Sequence, residues 1–301
     1  MLPSRQITRP INHISGVGLF SGRPASFAIG PGDRSGTIKF EGYGHVNPFS
    51  PASVRRVTYD TSWSGLPSAV PIRNTTLNAS GWREPPPEPP IHAIATVEHL
   101  LAALAGLGVF EAYIHIESDK SAEVPILDGS AKPWVDALLP VLADGPALDP
   151  ITLTHPIEVQ GGDASISATP AASISYTYNL DYGPASPLKP HSATWRGDPT
   201  DFIQNISPAR TFSLRSEAQA AQKAGLFKHL TPKDMLVIGD NGQPIDNAWR
   251  MEGEPARHKL LDLIGDLALL GRPLLANVVA TRSGHRLTHE FCRQILDATA
   301  P

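Results

Sequence analysis

The most informative stretch of the chain occupies residues 255–270 and reads Pro255-Ala256-Arg257-His258-Lys259-Leu260-Leu261-Asp262-Leu263-Ile264-Gly265-Asp266-Leu267-Ala268-Leu269-Leu270. Most of its side chains are apolar, and Pro255 suits a first helical turn, where the missing N–H costs nothing. Gly271 and Pro273 follow and are typical of a helix end. The stretch therefore predicts a long helix over Pro255–Leu270.

Three ionisable side chains interrupt this apolar helix at regular intervals. His258, Asp262 and Asp266 are spaced four residues apart, which places them along one flank of the helix. A buried, unpaired carboxylate is expensive, and a metal ion or a histidine partner would remove that cost. A solvent-facing polar edge has the same spacing, so the helix alone leaves both interpretations open.

A second helix is predicted over Thr96–Leu107. We expect Thr96 to be its N-cap and Gly108 to end it in the left-handed conformation. One apolar face is formed at helical spacing by Val97, Leu100, Leu101 and Leu104.

Two further histidines lie beside groups that suit catalysis. Glu98 and His99 stand at the start of the second helix, where they could supply a base and a metal ligand. His285 follows Arg282-Ser283-Gly284 at the end of a predicted strand, a position that can present an imidazole to a cleft. Taken singly, a residue such as His99 is more often a surface or satisfied histidine, and one such as His285 is more often an ordinary turn histidine.

Elsewhere the pattern predicts an α+β fold. The segment Ala143–Pro150 has the composition of a linker and would divide the chain into domains 1–142 and 151–301. Glu84–Pro90 has the composition of an extended surface loop. Shorter helices are predicted at Lys132–Leu139 and Ser216–Ala224. Strands are predicted at Ala112–Glu117, Ala164–Ala168, Ser173–Leu180, Met235–Ile238 and Leu275–Thr281.

Composition excludes several classes of protein. With 25 basic and 29 acidic residues among 301, the net charge of -4 gives no electrostatic reason to expect a nucleic-acid partner. A single cysteine, Cys292, rules out an intramolecular disulfide and a cysteine-rich zinc cluster. We find no secretory signal and no apolar run of the ~20 residues that cross a bilayer, and expect a cytoplasmic protein.

One chemical hypothesis uses all of these polar residues. Catalytic zinc takes three protein ligands and leaves one position for water, and His99, His258 and Asp262 would supply them. Glu98 would then accept the proton of the water, and His285 would protonate a leaving amine. Asp266 would orient His285 and favour its charged form. The hypothesis predicts a zinc-dependent amide hydrolase.

The same residues lie in motifs that resemble one enzyme family, the UDP-3-O-acyl-N-acetylglucosamine deacetylases of lipid A biosynthesis. The motifs follow the family's order along nearly the whole chain. They are Ser15–Gly22, Thr96–Gly108, Val124–Ala131, Ala209–Phe212, Arg257–Leu267 and Ser283–His285.

The resemblance implies a fold of two similar α+β domains with their helices packed between two sheets. It implies that zinc is held by His99, His258 and Asp262, with Glu98 as the base and His285, paired with Asp266, as the acid. Thr211 would hydrogen-bond the developing oxyanion, and Phe212 would line the adjoining apolar wall. Lys259 and Arg282 would lie near the nucleotide diphosphate. The implied substrate is an acylated UDP-amino sugar, bound by a monomer that can contact the inner membrane surface.

The chain departs from the family pattern at three places. Phe20 stands where the family usually has histidine, and Ala95 where serine is usual. Phe227–Asp234 replaces a stretch that contributes to the family's acyl-chain passage. Two other hypotheses follow: a related zinc deacetylase acting on a different N-acetylated sugar, or a catalytically inactive homologue. Iron in place of zinc would use the same ligands.

Overall fold

The structure is a computed structural model that describes residues 1–41, 50–59, 73–78, 93–117 and 123–300. Its strands are β1 (Arg5–Ile7), β2 (Ile11–Val17), β3 (Pro24–Gly30), β4 (Ile38–Glu41), β5 (Ser50–Pro51), β6 (Thr76–Asn78), β7 (Ala93–Ala95), β8 (Ala112–Ile116), β9 (Leu142–Asp144), β10 (Ile151–Thr152), β11 (Ile157–Gly161), β12 (Ala164–Pro170), β13 (Ser175–Leu180), β14 (His191–Trp195), β15 (Phe212–Leu214), β16 (Leu236–Ile238) and β17 (Leu274–Thr281). Its helices are α1 (Glu98–Gly106), α2 (Lys132–Leu138), α3 (Pro199–Asp201), α4 (Arg215–Lys223), α5 (Glu254–Leu267) and α6 (His285–Ala298).

Two larger sheets organise these elements. The first has the strand order β2-β3-β8-β4-β5, in which β4 and β8 run parallel and the other neighbours antiparallel. The second has the order β11-β12-β17-β13-β14, and β10 also pairs with β17. In this sheet β17 runs parallel to β13 and β10 and antiparallel to β12. The first sheet lies wholly in the N-terminal half of the chain and the second wholly in the C-terminal half.

The core lies between the sheets and is filled by α1 and α5. Buried and half-buried residues alternate along β8 and β13, so each strand turns one face inward. Every residue of α1 is buried, and in α5 all but Arg257 and Lys259 are buried. A helix that is buried on all sides belongs to an interior layer. One continuous cluster joins Phe27 and Val278, which lie in different sheets, to these helices. The predicted α+β fold of two similar domains, with helices between two sheets, is confirmed.

The two central helices are in close contact at Gly265. A Cβ atom added to Gly265 would lie 2.1 Å from the carbonyl oxygen of Glu98, far inside van der Waals contact. Only glycine therefore lets α5 pass the N-terminal turn of α1 at this distance. This contact brings the first turn of α1 against the middle of α5, where the ionisable residues lie.

Several local predictions are confirmed and others are wrong. Gly108 and Gly271 follow their helices with φ of 78°, in the left-handed conformation expected at a helix end. Thr96 is not the N-cap of α1, which is Val97. Instead Thr96 has φ of 59° and donates its hydroxyl proton to Glu123 (3.0 Å), so a tertiary contact replaces the cap.

Two elements lie where the sequence did not indicate them. His285 begins helix α6, although the pattern predicted a loop there; the apolar spacing of Leu287, Phe291 and Ile295 fits a helix. Part of the predicted linker forms β9, which pairs antiparallel with β1. The domain limits 1–142 and 151–301 stay a prediction, and Glu84–Pro90 lies outside the described residues. Across the described ranges, no helix is both long enough and apolar enough to cross a membrane.

Candidate metal centre and active site

Helices α1 and α5 bring the three predicted metal ligands together. His99 lies in the first turn of α1, and His258 and Asp262 lie one turn apart on α5. Oδ1 of Asp262 is 3.5 Å from Nε2 of His99 and 3.4 Å from Nε2 of His258. All three side chains are buried, and their ligand atoms lie within 4.8 Å of one another.

The spacing of these atoms fits a zinc ion. Zinc binds nitrogen and oxygen at about 2.0–2.2 Å in a tetrahedral arrangement, which places neighbouring ligand atoms about 3.3 Å apart. Oδ1 of Asp262 is buried, and within the described part of the chain no hydrogen-bond donor is aimed at it. A buried carboxylate oxygen without a donor is costly unless a cation completes its surroundings. The donor set of two imidazoles and one carboxylate therefore fits the metal that the sequence predicts.

Neighbouring groups set the protonation states of His258 and Asp262 that metal binding requires. Nδ1 of His258 lies 3.1 Å from the carbonyl oxygen of Ala209, which can only accept, so Nδ1 carries the proton and Nε2 presents a lone pair. Burial lowers the pKa of His258 to about 3, which keeps the ring neutral. Burial also opposes ionisation of Asp262, but the charge of Lys259 outweighs it and holds the pKa of Asp262 well below the usual value.

Glu98 lies beside the ligand cluster as a buried carboxyl group. Its Oε2 accepts a hydrogen bond from the backbone N–H of Thr75 (3.0 Å), and its Oε1 lies 3.9 Å from Nε2 of His285. Burial raises the pKa of Glu98 above its ordinary value, although His285 and His99 act in the other direction. A carboxylate with a raised pKa is a stronger base, which suits proton abstraction near neutral pH.

His285 and Asp266 form the second polar pair of the site. Nδ1 of His285 lies 2.8 Å from Oδ2 of Asp266, and Nε2 of His285 points toward Glu98. Burial disfavours the charged ring, but the Asp266 carboxylate outweighs this effect and raises the pKa of His285 to about 9. The imidazole is therefore protonated at neutral pH and can donate a proton from Nε2.

Two residues that the sequence did not single out complete this pair. The hydroxyl of Thr75 lies 2.5 Å from Oδ1 of Asp266, and Nε2 of the buried His289 lies 3.0 Å from the same hydroxyl. His289 follows His285 by one helical turn of α6. That spacing would have revealed it if α6 had been predicted, whereas nothing in the sequence around Thr75 indicates its position.

Thr211 and Phe212 border the ligand cluster from the start of β15. Both line the same cavity as His99, His258 and Asp262, and the ring of Phe212 packs edge-on against that of His258 at a centroid distance of 6.3 Å. The backbone N–H of Thr211 donates to Gly129 (2.7 Å), which fixes the loop. Directly before Thr211, the buried guanidinium of Arg210 donates to Glu254 at the start of α5 (2.8 Å).

The predicted phosphate-binding cations have other partners in the structure. Lys259 donates to Oδ2 of Asp262 (2.7 Å), and Arg282 pairs with Asp163 and with Asp181 (2.5 Å). Both cations nevertheless line an open cavity of about 1180 Å³ next to the site. Two further arginines of α6 that the sequence did not single out, Arg286 and Arg293, line the same cavity.

An apolar cavity of about 320 Å³ extends from the ligand cluster. Part of its wall belongs to a small separate cluster of apolar side chains, in which the rings of Phe20 and Phe227 lie 5.6 Å apart. Both phenylalanines are positions at which the chain departs from the family pattern. The remaining apolar wall is formed by Leu19, Ala220, Ala221, Ala224, Leu226 and Met235.

Comparisons with known proteins identify the family of the chain. The family model for UDP-3-O-acyl N-acetylglycosamine deacetylase matches residues 5–297. A UDP-3-O-acyl-N-acetylglucosamine deacetylase of Chlamydia muridarum is 32% identical over 286 residues, covering 94% of this chain and 92% of that protein. One of Leptospira biflexa is 31% identical over 288 residues, covering 94% and 86%. One of Nostoc sp. is 38% identical over 209 residues, covering 67% and 73%. The chain therefore belongs to the family of UDP-3-O-acyl-N-acetylglucosamine deacetylases, which are amide hydrolases.

Proposed function

We propose that the protein is a zinc-dependent deacetylase that hydrolyses the N-acetyl amide of UDP-3-O-acyl-N-acetylglucosamine in lipid A biosynthesis. The observation that carries this proposal is the close approach of two imidazole nitrogens to one donor-free carboxylate oxygen. Family membership supplies the substrate class, because the relatives matched over most of their length are named as deacetylases of this compound.

The metal would be held by His99, His258 and Asp262. A zinc ion bound there supplies Lewis-acid polarisation of the amide carbonyl and activation of water. Zinc is favoured because imidazole and carboxylate ligands at this spacing suit its tetrahedral geometry. Iron accepts the same ligands, so metal analysis of the purified protein has to decide between them.

The two proton transfers of the reaction fall to two neighbouring groups, Glu98 and His285. Glu98 takes a proton from the attacking water, because its carboxyl group is buried next to the ligands. His285 gives a proton to the amine that leaves when the C–N bond breaks, because its pKa of about 9 keeps it charged. Asp266 holds the ring of His285 through Nδ1, and Thr211, which lines the same cavity as the metal ligands, would donate to the developing oxyanion.

The cavities around the site match the two ends of the proposed substrate. The apolar cavity lined by Phe20 and Phe227 suits the 3-O-acyl chain, and the open cavity lined by Lys259 and Arg282 suits the anionic nucleotide. We propose that the enzyme works as a cytoplasmic monomer and meets its amphiphilic substrate at the inner membrane surface.

A related deacetylase with a different substrate is the second candidate. Phe227, the first residue of the divergent stretch, lines the apolar cavity together with Phe20. An enzyme whose N-acetylated sugar has no acyl chain would not need this cavity. Its activity would be the same on acylated and non-acylated UDP-N-acetylglucosamine.

Acetate release by the metal-depleted protein tests both candidates. The substrates are UDP-3-O-(3-hydroxyacyl)-N-acetylglucosamine and UDP-N-acetylglucosamine, each measured before and after addition of one equivalent of zinc. We expect zinc to restore release from the acylated compound alone. Equal release from both compounds supports the second candidate, and no release despite stoichiometric zinc binding contradicts the proposed substrates.

A further inference from the structure

Thr75 lies between the proposed base and the proposed acid. It is wholly buried and directly precedes β6. Its backbone N–H donates to Oε2 of Glu98 (3.0 Å), while its side-chain oxygen lies 2.5 Å from Oδ1 of Asp266. Glu98 belongs to α1 and Asp266 to α5, so one residue of a third segment contacts a carboxylate from each central helix.

The direction of each hydrogen bond at Thr75 follows from the number of protons available. A threonine hydroxyl has one proton and an ionised carboxylate only accepts, so Thr75 donates to Asp266. The partners of Asp266, led by His285, outweigh its burial and lower its pKa, which keeps it ionised. The oxygen of Thr75 must then accept from any other group in reach. Two ring nitrogens are in reach, Nε2 of His289 at 3.0 Å and Nδ1 of His285 at 3.2 Å, and both are therefore donors.

His289 is well suited to hold this hydroxyl. Its side chain is completely buried, one turn after His285 on α6. Nδ1 of the ring lies 3.3 Å from the hydroxyl of Tyr59, so both ring nitrogens have a partner. With a proton on Nε2, His289 donates to Thr75 and directs the hydroxyl proton of Thr75 toward Asp266.

We propose that Thr75 is a positioning residue for the acid–base pair, and that His289 fixes the direction of its hydroxyl. The backbone N–H of Thr75 holds one oxygen of Glu98 and leaves the other facing His285. Its hydroxyl holds one oxygen of Asp266 and leaves the other for Nδ1 of His285. Neither Thr75 nor His289 touches the reacting atoms. This inference rests on the proposed deacetylase function.

Substitutions of Thr75 test the kinetic part of the proposal. Thr75→Val keeps the backbone N–H and the branched shape but removes the hydroxyl, and Thr75→Ser keeps the hydroxyl. Loss of a hydrogen bond to a charged group predicts that Thr75→Val lowers kcat about 10- to 100-fold, with KM and zinc content unchanged. Thr75→Ser should stay within about threefold of wild type. The matched control is Thr76→Val, because the neighbouring hydroxyl donates to Asn74 and not to the site.

Each kinetic outcome has a definite meaning. A wild-type kcat in Thr75→Val overturns the proposal, as does a loss in Thr75→Ser as large as that in Thr75→Val. If Thr75→Val does not fold, His289→Gln and His289→Leu take its place. Glutamine keeps an N–H donor and should retain more turnover than leucine, and equal turnover in the two variants overturns the role of His289.

The hydrogen-bond pattern is also measurable without turnover. In the zinc-loaded protein labelled with 15N-histidine, NMR should show His289 with its proton on Nε2, assigned by its loss in His289→Gln. A neutral ring protonated on Nδ1 contradicts the inferred direction. Inactivity of the wild-type enzyme on the acylated substrate would contradict the proposed function, whereas the NMR result tests the hydrogen bonds separately.

Discussion

Nε2 of His258 lies 3.4 Å from Oδ1 of Asp262, and both atoms are hydrogen-bond acceptors. Nε2 carries no proton because the ring proton is on Nδ1, which donates to the carbonyl oxygen of Ala209. Two acceptors at this distance repel each other unless a cation lies between them. Asp262→Ala should therefore lose metal and activity together, with zinc affinity reduced more than about 100-fold, since changes to groups behind the ligands already cost about 10- to 100-fold. Competition titration with a chelating dye measures this. Asp136→Ala, which removes an exposed carboxylate paired with Lys132, should bind zinc like wild type.

A substitution of Glu98 should lower turnover without lowering the zinc content of the protein. Glu98→Gln keeps the size of the side chain but removes the base, so we expect zinc content to be retained and kcat to fall about 10²- to 10⁴-fold. Metal analysis and single-turnover kinetics on the same preparation provide the two measurements. A loss of zinc as large as that in Asp262→Ala would make Glu98 a ligand instead of the base.

The pH dependence of kcat/KM should report the charged state of His285. A general acid must be protonated, so activity falls as the pH rises through the pKa of His285, which is about 9. A general base must be ionised, so the acid limb lies above the usual range for a carboxyl group, because burial raises the pKa of Glu98. Asp266→Asn removes the charge that stabilises the imidazolium and should move the alkaline limb down by about one to two pH units.

Two further measurements bear on this assignment. His285→Ala should retain zinc and lose the alkaline limb together with most of the rate. An alkaline limb at the same pH in wild type and Asp266→Asn would show that another group controls it.

The buried ion pair between Arg210 and Glu254 should contribute to folding stability. Arg210 donates to Glu254, which is completely buried, and Arg210→Ala would leave that charge unpaired. We expect the free energy of unfolding to fall by about 3–5 kcal/mol, measured by urea denaturation. Lys132→Ala breaks an exposed ion pair on α2 and should cost less than about 0.5 kcal/mol. Equal losses in the two variants would contradict this distinction.

Gly265 should be intolerant of a side chain. Alanine at this position would place Cβ 2.1 Å from the carbonyl oxygen of Glu98, and backbone atoms would have to move. Gly265→Ala should cost about 1–3 kcal/mol of stability and also lower kcat, because Glu98 moves with its helix. Gly30→Ala is the control, since its Cβ would meet no atom within 4 Å. A Gly265→Ala variant with full stability and activity would rule out this close contact.

The parts of the site that lie on strongly patterned helices could be predicted from the sequence. His258, Asp262 and Asp266 stand at fixed spacing in an apolar helix, and Glu98 and His99 stand at the start of another. Helical geometry therefore determines which residues of each helix lie near one another. The strands at Ala112–Ile116 and Leu274–Thr281 were also predicted, from short apolar or alternating runs, and in the structure every second residue along them is buried.

The remaining features depend on tertiary contacts that carry no local signal. Thr96 has the residue type of an N-cap but donates to Glu123, a residue distant in sequence. Thr75 reaches Glu98 and Asp266 only because the tertiary structure brings the residue before β6 against both α1 and α5. Arg282 was expected near a phosphate, and its ion pairs with Asp163 and Asp181 arise from loops that no spacing rule connects.

The contact at Gly265 has a thermodynamic consequence for the whole protein. Because α1 carries His99 and α5 carries His258 and Asp262, an ion bound by all three favours the state in which these helices are in contact. Such an ion stabilises the native state by a free energy that grows with the logarithm of the ratio of its concentration to its dissociation constant. Residues remote from the ion, such as Phe27 in one sheet and Val278 in the other, belong to the same continuous core. Loading the metal should therefore slow amide hydrogen exchange in both sheets together, far beyond the groups that bind it.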